Sequence, residues 1–341
     1  MNTLIISDLH LTENPNETYR WDIFKTARQF IKDHKISQLF ILGDLLDKKD
    51  RHPAELINHL INELVECAQH APVFILKGNH DYLKPEHPFL DFVNHLERIT
   101  WIDQPSRMTI KRDNILWLPH TRTPELDWAD LEYKDLDLVF MHQSVIGCKV
   151  SNMFEMNHGL NLSFLTTRTS AKIFSGDIHV PQDIGPLTYI GTQHPVSFGD
   201  DYQPRMVWLK EIDNWESIPV HTLQRLSLTV SSLDELQSLF KKKQLKAKDH
   251  VKVTVKLSTK ELSQWADIKH AIKEWCAYKN VILFSITLEK AELVESEVVE
   301  IKQFRQTNPE DAFNTYCSQE QIDPYLVSVG RDLLQSAIKS H

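Results

Sequence analysis

Short apolar runs of four or five residues recur through the chain up to about residue 175. They occupy residues 3–7, 39–42, 73–76, 138–141 and 172–175. Continuous runs of this length are typical of strands buried on both faces of a sheet. Apolar side chains at helical spacing fill the first two intervals: Ile23, Ala27, Phe30 and Ile31, and then Leu56, Ile57, Leu60, Ile61 and Leu64. The alternation predicts a layered α/β core with helices packed outside the sheet.

The pattern changes after about residue 215. Alternating apolar positions over 226–230 and 251–257 and an apolar run from 281 predict three strands, and two helical repeats lie between them. We therefore expect a smaller α+β domain over 216–290 after a first domain over 1–215. Residues 291–306 are acidic and are expected to form a linker or an exposed helix. Apolar residues beyond them predict two short helices in a tail that ends at 341.

Polar motifs follow the apolar runs in a fixed order. They are Asp8-Leu9-His10, Gly43-Asp44, Gly78-Asn79-His80-Asp81, His142-Gln143 and Gly176-Asp177-Ile178-His179. Each motif alone reads equally well as a turn or a helix cap. As an ordered set they lie where strands end, which is where open α/β sheets place their chemistry. Asp, Asn and His are ligands of hard and borderline divalent cations, so the set predicts a metal centre.

This ordered set resembles the calcineurin-like metallophosphoesterase superfamily over about residues 1–200. Residues 176–182, 189–192 and 197–200 and the layout of the last third resemble the SbcD-type DNA nucleases. The resemblance implies two packed sheets flanked by helices, with the α+β unit as a capping domain. It also implies a two-metal DNA phosphodiesterase, exonuclease and endonuclease, in recombination, replication or DNA end processing. The short chain is similar to phage-encoded members.

The resemblance also implies a division of the metal ligands into two sets that share a bridging Asp44. One ion would be held by Asp8, His10, Asp44 and His179, and the other by Asp44, Asn79, His142 and Asp177. Nitrogen and oxygen ligands without thiolate favour Mn²⁺, with Mg²⁺ as an alternative. His80 would orient the phosphate or protonate the leaving oxygen, and Asp81 would orient His80 through a hydrogen bond.

Asp177 departs from the pattern of the nuclease relatives, which carry histidine at this position. A third carboxylate would leave two divalent ions with a net charge of about +1 instead of about +2. We therefore expect weaker attraction for phosphate and a bias towards manganese or magnesium over zinc.

The formal net charge of −9 argues mildly against broad coating of DNA, although partners and metal ions can supply positive charge. The strongest basic cluster consists of Lys241, Lys242, Lys243, Lys246 and Lys248. It is interpreted either as a solvated loop or as a contact to the phosphate backbone. His194 is interpreted either as a turn residue or as a phosphate contact.

Composition indicates a globular protein, with 41% hydrophobic and 25% charged residues. The start of the chain shows no signal-peptide pattern, and Cys67, Cys148, Cys276 and Cys317 form no CxxC pair. The cysteines are therefore expected to be buried thiols, and the compartment the cytoplasm, that of the host if the gene is carried by a phage.

Partners are implied by the resemblance alone. The tail over 291–341 would dock on an SMC-like coiled-coil ATPase of the SbcC type, or would pack back on its own domain. Segments near 53–68 and 86–96 would form a homodimer. Two further functions stay open: a phosphatase or phosphodiesterase for small molecules or proteins, and a catalytically weak scaffold subunit for the ATPase.

Overall fold

The computed structural model describes residues 1–290 except 86, 152, 153 and 199–201. Beyond 290 it describes only Phe313, Asn314, Cys317, Val327, Ser328, Gly330, Arg331 and Leu334. The expected linker and most of the expected docking tail therefore lie outside the described residues. Two compact units divide the chain: one contains Met1–Thr254 and Ile268–Thr287, and the other contains Val255–Asp267 and Leu288–His341.

Strands dominate the described residues. In chain order they are β1 (Thr3–Ile6), β2 (Gln38–Ile41), β3 (Val73–Leu76), β4 (Ile99–Ile102), β5 (Ser106–Ile110), β6 (Asp113–Leu118), β7 (Leu138–His142), β8 (Lys149–Ser151), β9 (Phe154–Glu155), β10 (Lys172–Gly176), β11 (Gln182–Ile184), β12 (Leu187–Tyr189), β13 (Arg205–Glu211), β14 (Asn214–Pro219), β15 (Arg225–Val230), β16 (His250–Leu257) and β17 (Ile282–Lys290). The five apolar runs are β1, β2, β3, β7 and β10, which confirms those predictions within one residue at each end.

The α-helices are α1 (Asp22–His34), α2 (Ala54–His70), α3 (Pro124–Asp127), α4 (Ser163–Thr166), α5 (Leu233–Lys242) and α6 (Trp265–Tyr278). Short 3-10 helices cover Pro15–Trp21, Asp91–His95 and Thr259–Gln264. Helix α5 begins where the Ser232 side chain accepts a hydrogen bond from the backbone N–H of Glu235. None of the helices in the described part of the chain combines the length and the apolar character needed to cross a membrane.

Two six-stranded sheets form the core. Their strand orders are β14-β13-β1-β2-β3-β4 and β11-β12-β10-β7-β6-β5. Strands β1 to β4 are parallel, and so are neighbouring pairs along β6-β7-β10-β12. The predicted α/β class is confirmed, and the carboxyl ends of the parallel strands in each sheet reach one edge together.

Large aromatic side chains fill the space between the two sheets. Phe40 of β2 lies with its ring centroid 4.8 Å from that of Trp117 in β6 and 5.1 Å from that of Phe140 in β7. The opposite face of β1 and β2 packs on α1 and α2 through Leu4, Leu39, Phe24 and Leu60, among others. Because apolar contacts cover both faces of these strands, the positions of the strand ends are tightly constrained.

The three strands predicted after residue 215 are β15, β16 and β17, and they form a sheet in that order. In the unit that contains Val255–Asp267, Ser258 and Glu261 form a capping box and Lys256 Nζ lies 3.1 Å from Glu289 Oε1. The four cysteines are buried free thiols, as predicted. The domain boundaries expected at 215 and 290 stay predictions.

Candidate metal centre

The polar motifs meet where strands from both sheets end. Asp8 and His10 follow β1, Asp44 follows β2, and Asn79 and His80 follow β3. His142 is the last residue of β7, and Asp177 and His179 follow β10. Three groups of side chains place their ligand atoms within 4.8 Å of one another: Asp8, His10 and His179; His10, Asp44 and His80; and Asp8, Asp44 and His142. Residues from distant parts of the chain therefore form one cluster.

The backbone at these strand ends is unusual. Asp8, His10, Asp44 and Asp177 all have positive φ, between 42° and 78°. Aspartate tolerates this left-handed conformation better than most residues, but it still carries a cost, and such residues concentrate at functional sites. The conformation turns the chain sharply after each strand, so these side chains stay at the sheet edge.

Glycine is required at the close approach between the two sheets. A Cβ on Gly176 would lie 2.2 Å from the carbonyl oxygen of Leu42 and 2.8 Å from Nδ1 of His142. The same atom on Gly78 would lie 2.4 Å from the backbone nitrogen of Asp44. The glycines in the motifs therefore allow the ligand loops to touch.

Asp44 lies at the centre of the cluster. Its Oδ2 is 3.5 Å from Nε2 of His10, and its Oδ1 is 3.4 Å from Nε2 of His142. Nε2 of His179 lies 3.1 Å from Nε2 of His10, while Asp177 Oδ1 lies 3.7 Å from His142 Nε2 and 3.4 Å from Asn79 Nδ2. The two oxygens of Asp44 thus face two different groups of neighbours, which is the arrangement that a bridging carboxylate requires.

The donor set fits divalent metal ions. Buried Nε2 of His142 and Oδ1 of Asn79 have no hydrogen-bond partner. The other nitrogen of His142, Nδ1, lies 2.6 Å from the carbonyl oxygen of Leu42, which fixes an N–H there and directs Nε2 towards the cluster. Metal-binding histidines are commonly held in this way. A bound cation would satisfy buried acceptor atoms that lie beside carboxylates and have no hydrogen-bond partner.

Burial and neighbouring charges shift the pKa values of carboxyl and imidazole groups in the cluster. Burial raises the pKa of Asp8 to about 6, with Asp44 adding repulsion against the attraction of His142. Burial alone would raise the pKa of Asp44, but His142, His10 and His80 hold it well below its usual range. Burial opposes protonation of His142, yet the carboxylates of Asp44, Asp8 and Asp177 raise its pKa well above the usual value. The site therefore concentrates negative charge that demands a positive partner.

His80 lies at the edge of this cluster. Its ring centroid is 4.7 Å from that of His10, and its backbone N–H donates to Oδ1 of Asp44 at 2.7 Å. Its Nδ1 is 2.6 Å from the carbonyl oxygen of Asp47. That contact fixes the ring and leaves Nε2 available for a substrate or an ion.

Asp81 has a different contact from the one we expected. Its carboxylate accepts hydrogen bonds from the backbone N–H groups of Asp44 at 3.0 Å, Leu45 at 3.1 Å and Gly78 at 2.7 Å. The prediction that Asp81 orients His80 is therefore corrected: the carbonyl of Asp47 does so. Asp81 instead joins the loops after β2 and β3, because a buried carboxylate satisfies several orphan N–H groups at once.

The prediction that His194 contacts a phosphate is also corrected. It is buried, with Nε2 2.9 Å from the carbonyl oxygen of Leu9, and its ring packs edge-on against Tyr19. Burial, reinforced by the nearby Arg20 charge, lowers the pKa of His194 to about 3. A neutral, enclosed imidazole is a structural link between its loop and the loop after β1, and it is not exposed for contact with a phosphate.

The burial of His194 predicts a dependence of stability on pH. Below about pH 6.5 the unfolded imidazole takes up a proton that the folded one, with its lowered pKa, does not. This histidine should therefore lower the free energy of unfolding by about 1.4 kcal/mol per pH unit between pH 6 and 4. Urea unfolding at several pH values measures the slope. His194→Gln should flatten it, and exposed His95→Gln should not; equal slopes in all three proteins would refute the assignment.

The lysine cluster is exposed. Lys241 and Lys242 form the last turn of α5, and Lys243, Lys246 and Lys248 follow it before β16. The basic segment therefore includes a helix end as well as the loop that we expected. Its exposure is compatible with both a solvated surface and a phosphate contact.

Sequence reasoning missed several neighbours of the metal centre. Arg20 is buried and donates hydrogen bonds to the carbonyl oxygen of His10 and to Oδ1 of Asp47. His120 has its ring centroid 6.1 Å from that of His142, and its Nδ1 is 2.8 Å from the Tyr82 hydroxyl. Asp47 follows Asp44 by three residues, a spacing that could have drawn attention to it. Nothing in the local sequence marks Arg20 or His120.

Asp177 supplies a test of the metal preference. Replacing Asp177 with histidine exchanges a carboxylate for a neutral nitrogen ligand, so we expect affinity for Zn²⁺ relative to Mn²⁺ to rise by about tenfold. Competitive titration of the two metals measures the ratio. Asp213→His, at an exposed turn, is the matched control. An unchanged ratio in Asp177→His would contradict the charge argument.

The chain is similar to known proteins in sequence. A family model described as calcineurin-like phosphoesterase matches residues 1–181. A protein named as a phosphoesterase, 078R of Invertebrate iridescent virus 3, is 31% identical in an alignment of 120 residues that covers 32% of this chain and 34% of that protein. The chain thus spans about a third of that relative's length.

Two further similarities cover more of the chain. Exonuclease subunit 1 of Enterobacteria phage T4 is 23% identical in an alignment of 237 residues that covers 65% of this chain and 68% of that protein. Among solved structures, an archaeal phosphodiesterase aligns with a TM-score of 0.37 at 13% identity and covers 64% of this chain and 100% of its own.

Proposed function

The chain belongs to the calcineurin-like phosphoesterase family, and from that premise we propose that it is a two-metal phosphodiesterase that hydrolyses DNA. The observation that carries the proposal is the cluster around Asp44, whose two oxygens face His10 on one side and His142 on the other. We assign Asp8, His10, Asp44 and His179 to one ion and Asp44, Asn79, His142 and Asp177 to the other. Mn²⁺ suits this set, with Mg²⁺ as the alternative.

Each protein group has a task in this proposal. Bound divalent ions would clamp the phosphate and lower the pKa of the attacking water. His80, fixed through Nδ1 by the Asp47 carbonyl, offers Nε2 to the phosphate or to the leaving sugar oxygen. Asp81 holds the loops that carry Asp44 and Asn79 at a constant separation through three backbone hydrogen bonds. Substrate positioning thus depends on rigid strand ends.

DNA is the proposed substrate for two reasons. The similarity to the phage T4 exonuclease subunit extends over 237 residues, beyond the 181 residues that the family model matches. An exposed lysine cluster lies in the region after the first 215 residues, in a chain of net charge −9. The similarity supports the proposal of exonuclease and endonuclease activity in recombination, replication or end processing, and the lysine cluster is the surface that would contact DNA phosphates.

Partners belong to the same proposal. We assign the segment 291–341 to docking on an SMC-like coiled-coil ATPase and a homodimer to the segments near 53–68 and 86–96. We assign the complex to the cytoplasm. Deletion of 305–341 should abolish association with the ATPase while metal binding is retained. Association that survives the deletion would contradict the docking assignment.

The decisive experiment offers end-labelled duplex and single-stranded DNA to the protein with Mn²⁺, beside p-nitrophenyl phosphate and bis-p-nitrophenyl phosphate. Cleavage of DNA that is abolished in Asp8→Ala would support the proposal. Hydrolysis of the small esters without DNA cleavage would identify a phosphatase or phosphodiesterase for other substrates. Metal binding without turnover of any ester, alone or with the ATPase, would favour the scaffold.

The lysine cluster gives a prediction about DNA affinity. If Lys241, Lys242, Lys243, Lys246 and Lys248 touch phosphates, their joint replacement by glutamine should reduce the slope of log affinity against log salt by about 0.9 for each phosphate that is no longer neutralised. Fluorescence anisotropy at several salt concentrations measures the slope. Lys25→Gln with Lys32→Gln, on the exposed face of α1, is the control. An unchanged slope in the cluster variant would leave these lysines as solvated surface.

A further inference from the structure

Glu17 joins two buried arginines. Its Oε2 lies 2.8 Å from NH2 of Arg20, and its Oε1 lies 2.9 Å from NH1 of Arg225. The side chains of Glu17, Arg20 and Arg225 are 10%, 3% and 5% exposed. Both guanidinium groups also donate to the carbonyl oxygen of Val196, Arg225 at 2.7 Å and Arg20 at 3.5 Å. A single carboxylate therefore separates two like charges in a nearly dry environment.

At one end of this network, Arg20 contacts the loops that carry the candidate metal ligands. Arg20 donates to the carbonyl oxygen of His10 and, at 3.0 Å, to Oδ1 of Asp47. The carbonyl of Asp47 in turn fixes Nδ1 of His80. One guanidinium thus spans the loop after β1, which carries Asp8 and His10, and the loop after β2, which carries Asp44.

The far end lies in strand β15, well beyond the 181 residues matched by the family model. Arg225 donates to the Tyr19 hydroxyl at 3.1 Å, and the rings of Phe198 and Phe284 cover its guanidinium at 4.4 and 5.0 Å. The aromatic rings exclude water and strengthen the ion pair with Glu17 by lowering the local dielectric constant.

We propose that Glu17 and Arg225 are positioning residues of the metal centre: by balancing and fixing Arg20, they couple the geometry of the ligand loops to strand β15. The proposal rests on the metal centre of the proposed function. The network contains two cations, Arg20 and Arg225, and two anions, Glu17 and Asp47. Removal of the Glu17 charge leaves two facing guanidiniums with only Asp47 as counter-charge, so repulsion from Arg225 shifts Arg20 from its present contacts with the ligand loops.

Mn²⁺ affinity is the direct readout, measured by calorimetry or by the electron paramagnetic resonance of free Mn²⁺ with the full chain. Glu17→Gln should weaken Mn²⁺ binding by about tenfold, as removal of a group that supports the metal ligands commonly does. Adding Arg225→Gln to that variant restores the charge balance, so the double variant should recover part of the affinity. Arg225→Lys, which keeps the charge but cannot form the forked hydrogen bonds, is a milder second probe and should lie between wild type and Glu17→Gln.

Glu63→Gln is the matched control, since Glu63 pairs with Arg28 between α1 and α2, away from the metal ligands. A merely structural role predicts that Glu17→Gln and Glu63→Gln lower the melting temperature and that both keep wild-type Mn²⁺ affinity, and wild-type affinity in Glu17→Gln would overturn the proposal. Recovery of no affinity in the double variant would also contradict it.

The proposed function can fail separately. If the wild-type protein binds Mn²⁺ but cleaves no phosphodiester, and Glu17→Gln binds the metal more weakly, the nuclease assignment is refuted and the positioning role is supported. If the wild-type protein cleaves DNA, and Glu17→Gln and Arg225→Lys bind Mn²⁺ as tightly as the wild type, only the positioning role is refuted. Wild-type protein that binds no divalent metal refutes both.

Discussion

Replacing Asp44 with asparagine is expected to lower phosphodiester hydrolysis by about a thousandfold or more, a loss of about 4 kcal/mol of transition-state stabilisation. The reason is the position of its carboxylate, with Oδ1 3.4 Å from His142 and Oδ2 3.5 Å from His10. Asparagine keeps the size and the acceptor for the His80 backbone N–H, but it offers only one oxygen. The variant cannot bridge two ions, so Mn²⁺ stoichiometry should fall from two towards one.

Initial rates with saturating Mn²⁺ and a metal titration measure this outcome. Asp33→Asn, on the exposed face of α1, is the control and should behave as wild type. Asp44→Asn that binds two Mn²⁺ ions and keeps more than a tenth of the wild-type rate would contradict a bridging role.

Replacing His80 with asparagine should reduce the rate by between about a hundredfold and ten-thousandfold, the range typical of a missing proton donor. His80 has its Nδ1 held by a backbone carbonyl, as His142 does, but its ring is only partly buried at the edge of the cluster, whereas His142 is fully buried. Mn²⁺ stoichiometry should stay at two, since the remaining ligands are unchanged. A loss in kcat with retained metal therefore separates a catalytic role from ligation.

His158→Asn is the control, an exposed histidine in a loop after β9. If His80→Asn loses one Mn²⁺ ion together with activity, His80 is a ligand, as its grouping with His10 and Asp44 would also allow. If the rate with two ions bound is unchanged, His80 has neither role.

Much of the fold could be predicted because its signal is local. The runs that form β1, β2, β3, β7 and β10 are apolar on both faces, so neither periodicity nor length left much choice of structure. The layered α/β class followed from their alternation with helical repeats. The pairing of the two sheets through aromatic side chains such as Phe40 and Trp117 had no comparable signal, and it was implied only by the resemblance.

The predicted ligand residues converge because strands of a parallel sheet end at a shared edge. Their roles as ligands stay proposals. The partners of Asp81 and His194 could not be predicted, since each bonds to backbone groups of distant loops. Because Asp81 directly follows His80 in the sequence, we expected the two side chains to form a hydrogen bond. In the structure the Asp81 carboxylate instead accepts hydrogen bonds from three backbone N–H groups.

The sequence by itself determined the five buried strands β1, β2, β3, β7 and β10 and the residues available at their ends, because hydrophobic runs and the motifs that follow them are properties of neighbouring positions. Only the tertiary structure decided that Arg20 holds the loops after β1 and β2 and that Glu17 ties it to Arg225, which lies far from Glu17 in the chain. Buried charges take whichever partners the packed chain brings within reach, because leaving one unpaired is costly. That choice is made by packing, and no local pattern encodes it.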